Sequence, residues 1–198
     1  MNDSQTGSSR EQLLEAALGY FAKNGVQNQS LRSLASSIGT SHRMLNYHFG
    51  SREGLLTEVV AAVERRQRGA FEQLLDATGP AVLPRQAVQD FWDRIVEETL
   101  TYGPLLFELA AHAMQGEPHA QGLRDTLVPP WLDALEEMLV RSGREPRAAR
   151  AQARLALAVV NGLLFDLLLT GNREGVTEAH RAFMELAFAD LPSFGSSA

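Results

Sequence analysis

The stretch SLRSLASSIGTSHRMLNYHFGSREGLL, running from Ser30 to Leu56, decides the fold of the first part of the chain. Ser30 and Ser41 stand where helix N-caps are expected, because a serine hydroxyl accepts from the free backbone N–H groups of a first turn. Gly39 suits a helix end in the left-handed conformation. The spacing predicts a helix after Ser30 and a second one over about 42–49. The inward positions of the first are Leu31, Leu34, Ala35 and Ile38.

Two short helices joined by a tight glycine turn are typical of a helix-turn-helix, whose second helix enters the major groove of DNA. On a helical wheel Leu45 and Phe49 share one side, and Arg43 and Tyr47 the opposite side, flanked by Asn46. Arginine can fork onto guanine, asparagine can pair with adenine, and a tyrosine ring can pack on a thymine methyl group or a sugar. The pattern favours a DNA-reading helix over the alternative, a helical hairpin with a solvated polar face.

The candidate DNA contacts combine these base readers with groups that can hold phosphates near helix N-termini. They are Ser30, Arg32, Ser41, His42, Arg43, Asn46, Tyr47, His48 and Arg52. Residues 10–52 carry a net charge of +3, residues 53–198 carry −8, and the whole chain carries −6. A mildly basic head on an acidic body fits DNA binding through the head, the alternative being chance unevenness.

Composition bounds the class of protein. The chain has 198 residues, 44% of them hydrophobic, which is enough for a packed core. It has no cysteine, which excludes disulfides, cysteine-ligated zinc and thiol catalysis. The N-terminal MNDSQTGSSR lacks the apolar run of a signal peptide, and no uncharged apolar run reaches membrane-spanning length. We therefore expect a soluble cytoplasmic protein without a cofactor or a metal.

Helical periodicity dominates the chain, and no strand alternation is convincing. The first helix is expected over Arg10 to Lys23, ending near Gly25, and a fourth from the cap Ser51 to about Ala77. Further helices are expected near 84–101, 104–115, 120–142, 146–170 and 174–190. Their starts or breaks are set by Pro84, Pro104, Pro129-Pro130 and Pro146, and two of their ends by Gly143 and Gly171. The first nine residues and the tail from Pro192 are expected to be disordered.

The predicted fold class is all-α, with two domains. Residues 8–54 form a three-helix helix-turn-helix domain that binds DNA. Residues 55–192 form a helical domain for ligand binding and dimerisation.

The segment from about Arg10 to Val60 resembles the TetR family of bacterial transcriptional repressors. The most specific part is the run Leu45-Asn46-Tyr47-His48-Phe49, then Gly50-Ser51-Arg52-Glu53 and Leu55-Leu56. It is similar to the family's L-Y-x-H/Y-F core, Lys/Arg-Glu pair and paired leucines. The resemblance implies DNA contacts at positions 30, 42, 43, 46, 47, 48 and 52, a dimer with a four-helix interface, and a small inducer.

Two positions depart from the family pattern. Asn46 stands where the family usually has an aromatic residue, and Arg43 where it often has a small one. Both changes add hydrogen-bonding reach toward bases, so the operator sequence does not follow by analogy. For His48 two interpretations stay open, a phosphate contact by resemblance and a half-buried histidine by its place on the wheel.

Residues 155–169, LALAVVNGLLFDLLL, are apolar almost all the way round, so a helix there needs cover on more than one side. Gly162 costs roughly 1 kcal/mol inside a helix relative to alanine, which close approach of another helix would explain. We predict a two-fold homodimer through the last two helices. The last helix would contribute Ala179, Phe183, Leu186 and Ala187. The alternative is an internal helix of a monomer.

Large apolar side chains of the body, with a few polar groups among them, predict a pocket for a small, mostly apolar or aromatic ligand. The candidates are Phe91, Trp92, Ile95, Phe107, His112, Trp131, Leu135, Asn161 and Phe165. His112 or Asn161 would orient the ligand. The alternative is that these side chains form plain core, and the adjacent Glu97-Glu98 pair is expected on a solvated face.

Enzymatic function finds little support, because the chain lacks G-x-S-x-G, P-loop and H-E-x-x-H motifs. Glu108 and His112 are spaced i, i+4 and could share a metal with His119, but a surface pair or pocket polarity explains them better. The prediction is a repressor that binds a palindromic operator and is released by its ligand. The alternatives are a constitutive, architectural DNA-binding protein and a helical metal-binding enzyme.

Overall fold

The computed structural model describes residues 3–24, 30–78 and 85–189, and the side chains of 9–24, 30–76 and 86–189. In these ranges all regular structure is helical, as predicted. The head contains α1 (Asp3–Asn24), α2 (Leu31–Ser37) and α3 (His42–Phe49), and α4 (Arg52–Thr78) leads into the body. The body contains α5 (Arg85–Gln115), α6 (Leu123–Thr126), α7 (Pro129–Arg141), α8 (Pro146–Thr170) and α9 (Arg173–Ala187), with a short 3-10 helix at Pro118–Ala120.

The predicted caps hold the helix-turn-helix in place. The Ser30 hydroxyl accepts from the Ser33 backbone N–H at 3.1 Å, and the Ser41 hydroxyl accepts from that of Met44 at 3.1 Å. Gly39 closes the turn between α2 and α3 with φ 72°, a conformation that only glycine adopts without strain. The predictions for these three positions are confirmed.

One hydrophobic core joins the head to α4 and α5. Phe21 of α1, Leu34 of α2 and Leu45 of α3 pack with the first turns of α4, and the same core continues to Leu105 and Leu109 of α5. The head is therefore not a separate body on a linker, because the helix that completes its core is also the first helix of the next domain.

Pro104 does not break a helix as predicted, since it lies inside the continuous α5. A proline in a helix costs about 3 kcal/mol, but burial of a leucine recovers roughly 1.5–3 kcal/mol. Leu105, directly after the proline, and Leu109, in the following turn, are both buried. The preceding Gly103 lets α5 approach α8, because a Cβ atom there would lie 2.8 Å from the Leu168 side chain.

Other boundaries differ from the prediction for identifiable reasons. The expected helix over 120–142 is divided into the 3-10 helix, α6 and α7, because Pro129 and Pro130 lack N–H groups and start a new helix. α1 begins at Asp3, so the expectation of nine disordered residues is wrong, since extending a formed helix costs little. Gly25, Pro84 and the tail from Pro192 lie outside the described residues.

α8 is long and apolar enough, by length and composition, to cross a membrane, with a mean hydropathy of 1.7 in its most apolar window. Only 22% of that window is buried in the protomer. Leu155 and Leu169 remain 65% and 71% exposed, and Leu186 of the neighbouring α9 is 84% exposed. Phe183, which was predicted on the same outer face, instead packs edge-on against Phe188 inside the protomer. Ala187 also packs inward, so both predictions are wrong.

Candidate DNA-binding helix and ligand cavity

α3 presents a polar face to solvent because its apolar face is fixed in the head core. Leu45 and Phe49 are buried, and on the other side Arg43 is exposed and Tyr47 is 72% exposed. Asn46 is half-buried between these faces. The arrangement matches the one predicted from the helical wheel, and it leaves the base-reading side chains free to reach a groove.

The other predicted DNA contacts surround this face. His42, Arg32, Ser30 and Ser41 are exposed, and Arg52 is half-buried at the start of α4. The amide nitrogen of Asn46 lies 3.5 Å from Nδ1 of His42. Both serine hydroxyls already accept from backbone N–H groups, so a phosphate would meet the remaining N–H groups of those first turns.

His48 is half-buried, and its ring lies edge-on to that of Tyr47 with the centroids 5.0 Å apart. Its Nε2 is buried and has no hydrogen-bond partner within the described parts of the chain. The half-buried placement agrees with the wheel, but the ring is not satisfied internally, which leaves Nε2 available if the head rearranges on DNA.

The body encloses a cavity of about 280 Å³ between α4, α5, α7, α8 and α9. Most of the predicted ligand residues line it: Phe91, Trp92, Ile95, Phe107, Trp131, Leu135 and Asn161. His112 does not, because it turns toward His119, with 3.1 Å between its Nδ1 and the other ring's Nε2. Phe165 does not either, because it lies half-exposed on α8 with its ring edge-on to Phe107. Their predicted place in the pocket is wrong.

The cavity contains a buried carboxyl group that sequence reasoning missed. Glu64 of α4 is 7% exposed, and its Oε2 accepts from the indole Nε1 of Trp131 at 2.7 Å. Burial raises the pKa of Glu64, although the indole hydrogen bond and the charge of Arg68 oppose the shift. In the sequence Glu64 is followed by Arg65 and Arg66, so it resembles a residue of a solvated face.

Glu98 of α5 also lines the cavity, so the expectation that it lies on a solvated face is wrong. Its Oε1 accepts from Nε of Arg94 at 3.1 Å. Its Oε2 is buried and has no hydrogen-bond partner among the described residues. The neighbouring Glu97 does face solvent, where it pairs with Arg173.

His180 of α9 forms another part of the wall. Its ring stacks on that of Trp92, with a centroid distance of 4.0 Å and an interplanar angle of 6°. Burial lowers the pKa of His180 to about 4, with a smaller contribution from the charge of Arg181 and opposition from Asp93. The ring is therefore neutral at pH 7. The sequence around His180 contains no motif, so only its position on the inward side of the last helix could have indicated this role.

Two structural elements connect the cavity wall to the head. α4 contributes Val60 and Val63 to the cavity wall, while Leu55 lies one turn earlier in the head core. Tyr102 of α5 also lines the cavity, and its hydroxyl donates to the backbone carbonyl of Leu18 in α1 at 2.9 Å. Ligand-dependent movement of either element would reach the head directly.

The metal-site alternative has no geometric support in the described residues. Glu108 is exposed, and no group of three or more His, Cys, Asp or Glu side chains is arranged to hold an ion there. His112 and His119 form a pair only.

Comparison with known proteins agrees with this geometry. Residues 13–59 match the family model described as bacterial regulatory proteins, tetR family. The nicotine-responsive transcriptional repressor HdnoR of Paenarthrobacter nicotinovorans is 24% identical over 79% of this chain and 82% of its own. The transcriptional regulatory protein RaaS of Mycobacterium tuberculosis is 28% identical over 91% of this chain and 80% of its own.

The fold agrees as well. A TetR-family regulator from Mesorhizobium loti superposes with a TM-score of 0.70 at 15% identity, covering 93% of this chain and 97% of that one. Regulators of this family form a class of DNA-binding proteins and not a class of enzymes. The capped helix-turn-helix, the all-helical body and these likenesses together support a transcriptional regulator of the TetR family.

Proposed function

We propose that the protein is a repressor that binds a palindromic operator as a homodimer and releases it when a small molecule enters the cavity. The observation that carries the proposal is the continuity of α4. One end of this helix completes the head core, and its middle lines the cavity. The proposed division of labour places DNA binding in residues 8–54 and ligand binding with dimerisation in residues 55–192.

In this proposal α3 reads the operator. Arg43 and Asn46 make base contacts, and Tyr47 contributes a ring contact and a phosphate hydrogen bond. The remaining contacts hold the head on the backbone. They come from Ser30, Arg32, Ser41, His42, His48 and Arg52. The acidic body does not prevent binding, because phosphate contacts act within about a Debye length, ~8–10 Å.

The proposed dimer forms through the exposed apolar face of α8 together with α9. Leu155, Leu169 and Leu186 supply apolar surface that the protomer leaves uncovered. Gly162 lies in the middle of this face, and a Cβ atom there would meet nothing within 4 Å in the protomer. Two-fold pairing would place two recognition helices at half-sites about one DNA turn, ~34–36 Å, apart. With this face covered, the hydropathy of α8 is that of an interface helix of a cytoplasmic protein.

Ligand release follows from a difference between two states. The ligand would bind more tightly when α4 and Tyr102 hold positions that respace the two heads out of register with the half-sites. The name of the Paenarthrobacter relative, a nicotine-responsive repressor, supports response to a small organic molecule.

The test is selection from a random double-stranded DNA pool with purified protein at near-physiological salt, followed by sequencing. We expect a palindromic consensus, binding that weakens steeply with salt, and a half-site spacing set by the dimer. Screening small organic molecules for release of that consensus then tests the ligand response. No enrichment by folded dimer contradicts operator reading, and operator binding that no ligand alters points to a constitutive architectural protein.

A further inference from the structure

The cavity has an unusual charge for an apolar site. Its wall contains the carboxyl groups of Glu64 and Glu98, whereas no lysine or arginine among the described residues lines it. His180 is neutral at pH 7 because burial lowers its pKa to about 4. An entering molecule therefore meets two acidic groups and no basic one.

Glu64 has no ion pair within the described chain. Its hydrogen bond comes from the neutral indole of Trp131. Arg68, whose charge acts on Glu64, has its Nε 3.5 Å from the carboxylate of Glu72 instead. A buried carboxylate without a positive partner is costly, and burial accordingly raises the pKa of Glu64. A bound cation would supply the missing partner.

Glu98 adds a second acceptor on the neighbouring helix. Its buried Oε2 has no hydrogen-bond partner in the described residues, although Arg94 holds the other oxygen. The charge of Glu98 contributes, as a smaller cause than burial, to raising the pKa of Glu64. A positive group between them would relieve that repulsion and satisfy the free oxygen of Glu98.

An aromatic cluster adjoins Glu64 through Trp131. Phe71, Phe91 and Trp131 form a cluster with centroids 5.4 to 6.5 Å apart, and all three line the cavity. The faces of such rings attract cations within about 6 Å, most strongly away from water. Aromatic faces beside an unpaired carboxylate favour a cation that also carries apolar bulk.

We propose that the ligand of this cavity is a lipophilic organic cation, such as a protonated amine on an aromatic or aliphatic skeleton, whose charged nitrogen binds Glu64 and Glu98. The inference rests on the proposed ligand-responsive function and narrows it. Glu64 faces the cation, Trp131 fixes the carboxylate through its indole N–H, and the apolar wall holds the skeleton. Neutral molecules of the same shape bind more weakly because they leave Glu64 without a cationic partner, and anionic ones because both carboxyl groups repel them.

Three compounds with one skeleton test the charge preference: phenylbutylamine, phenylbutanol and phenylbutyrate. Trp92 and Trp131 are the only tryptophans of the chain and both line the cavity, so quenching of intrinsic fluorescence reports binding, and calorimetry gives Kd. We expect the full-length protein to bind the amine about ten- to hundredfold more tightly than the alcohol, as for a charge-assisted hydrogen bond, and the acid most weakly.

Glu64→Gln keeps an acceptor for the Trp131 indole but removes the charge. We expect it to weaken amine binding about tenfold or more and to leave alcohol binding unchanged, with Glu98→Gln acting in the same direction. Glu97→Gln is the matched control, because that neighbouring carboxylate pairs with Arg173 at the surface, and it should change neither Kd. Unchanged alcohol binding shows that a variant is folded.

Equal binding of the amine and the alcohol, tighter binding of the acid, or no amine binding up to about 1 mM would overturn the inference. An equal loss of both ligands in Glu64→Gln would also overturn it, because that result describes a structural anchor for Trp131. Operator release separates this inference from the proposed function. If a neutral ligand releases DNA, the repressor proposal stands and the charge preference fails. If the amine binds as expected without altering operator affinity, the charge preference stands and ligand release fails.

Discussion

Replacing Gly162 by leucine should affect the protomer and the dimer in opposite directions. Gly162 lies inside α8, and a Cβ atom built on it meets no atom within 4 Å in the protomer. A leucine therefore fits, and it should stabilise the helix by about 0.8–1 kcal/mol relative to glycine. If this face of α8 contacted no partner, the substitution would therefore raise the free energy of unfolding.

In the proposed dimer, the same substitution is destabilising instead. If the partner's α8 passes over Gly162, two leucines must enter a closely packed contact, and an inserted side chain in packed surroundings costs typically about 1–3 kcal/mol. With two copies per dimer the cost is roughly 2–6 kcal/mol, so the dimer Kd should rise at least about 30-fold. Sedimentation equilibrium measures the Kd, and operator affinity should fall with it because one head loses its partner half-site.

Gly19→Leu is the matched control, because Gly19 is also exposed inside a helix with no atom within 4 Å of its Cβ position, but lies in α1 of the head. It should leave dimerisation unchanged. A Gly162→Leu protein that keeps its helical circular dichroism and dimerises as tightly as the original would refute close packing at α8.

Three further outcomes follow from the site. Arg43→Ala should relax base preference at one operator position by about 1–3 kcal/mol. Arg52→Ala should instead weaken binding to all sequences alike and reduce the dependence of binding on salt. Binding selections with both variants test this assignment, and equal losses on all sequences would contradict it. Tyr102→Phe should change the ligand-induced loss of operator affinity by about three- to tenfold, the effect of one hydrogen bond of ~0.5–1.5 kcal/mol, while the Kd for the ligand stays nearly constant. An unchanged effect of the ligand on operator affinity would show that the Tyr102 hydrogen bond does not link the cavity to the head. His180 has a pKa of about 4 when folded against 6.5 as its ordinary value, so the unfolded chain binds the extra proton and stability falls as pH drops from 6.5 to 4, by at most about 3.4 kcal/mol. His180→Phe should lack this part of the acid dependence in urea titrations, and an identical slope in both proteins would contradict the neutral buried ring.

The head could be predicted closely because its signals are local. Ser30, Ser41 and Gly39 each act through backbone atoms within a few residues, so cap and turn chemistry is visible in the sequence itself. The inward positions of α3 follow from helical spacing alone. The same reasoning overrated Pro104, because the tertiary packing that keeps α5 continuous lies far away along the chain.

The ligand site could be predicted only in part. The aromatic side chains were found because large apolar residues collect in a core, but their spacing does not say which of two apolar sides faces the cavity. Phe165 was expected inside and lies half-exposed, whereas Phe183 was expected outside and lines the cavity. Glu64 was missed because a charged residue beside two arginines has the pattern of a solvated face, and only the fold brings Trp131 to it.

Because α4 is long, a small rotation of the helix at the cavity produces a larger displacement at the head. Gln67 lines the cavity and Arg52 begins α4 at the head; they are fifteen positions apart, which at 1.5 Å per residue is about 22 Å of helix. A pivot of about 5° near Gln67 displaces side chains one turn away by roughly 0.5 Å, yet swings the Arg52 end by about 2 Å. In a two-fold pair the opposite ends swing apart together, so the reading heads separate by about 4 Å, more than the working range of a hydrogen bond, ~0.5 Å. In the proposed mechanism, a ligand that displaces the cavity wall near Gln67 by about 0.5 Å would therefore weaken the DNA contacts of a head more than about 20 Å away.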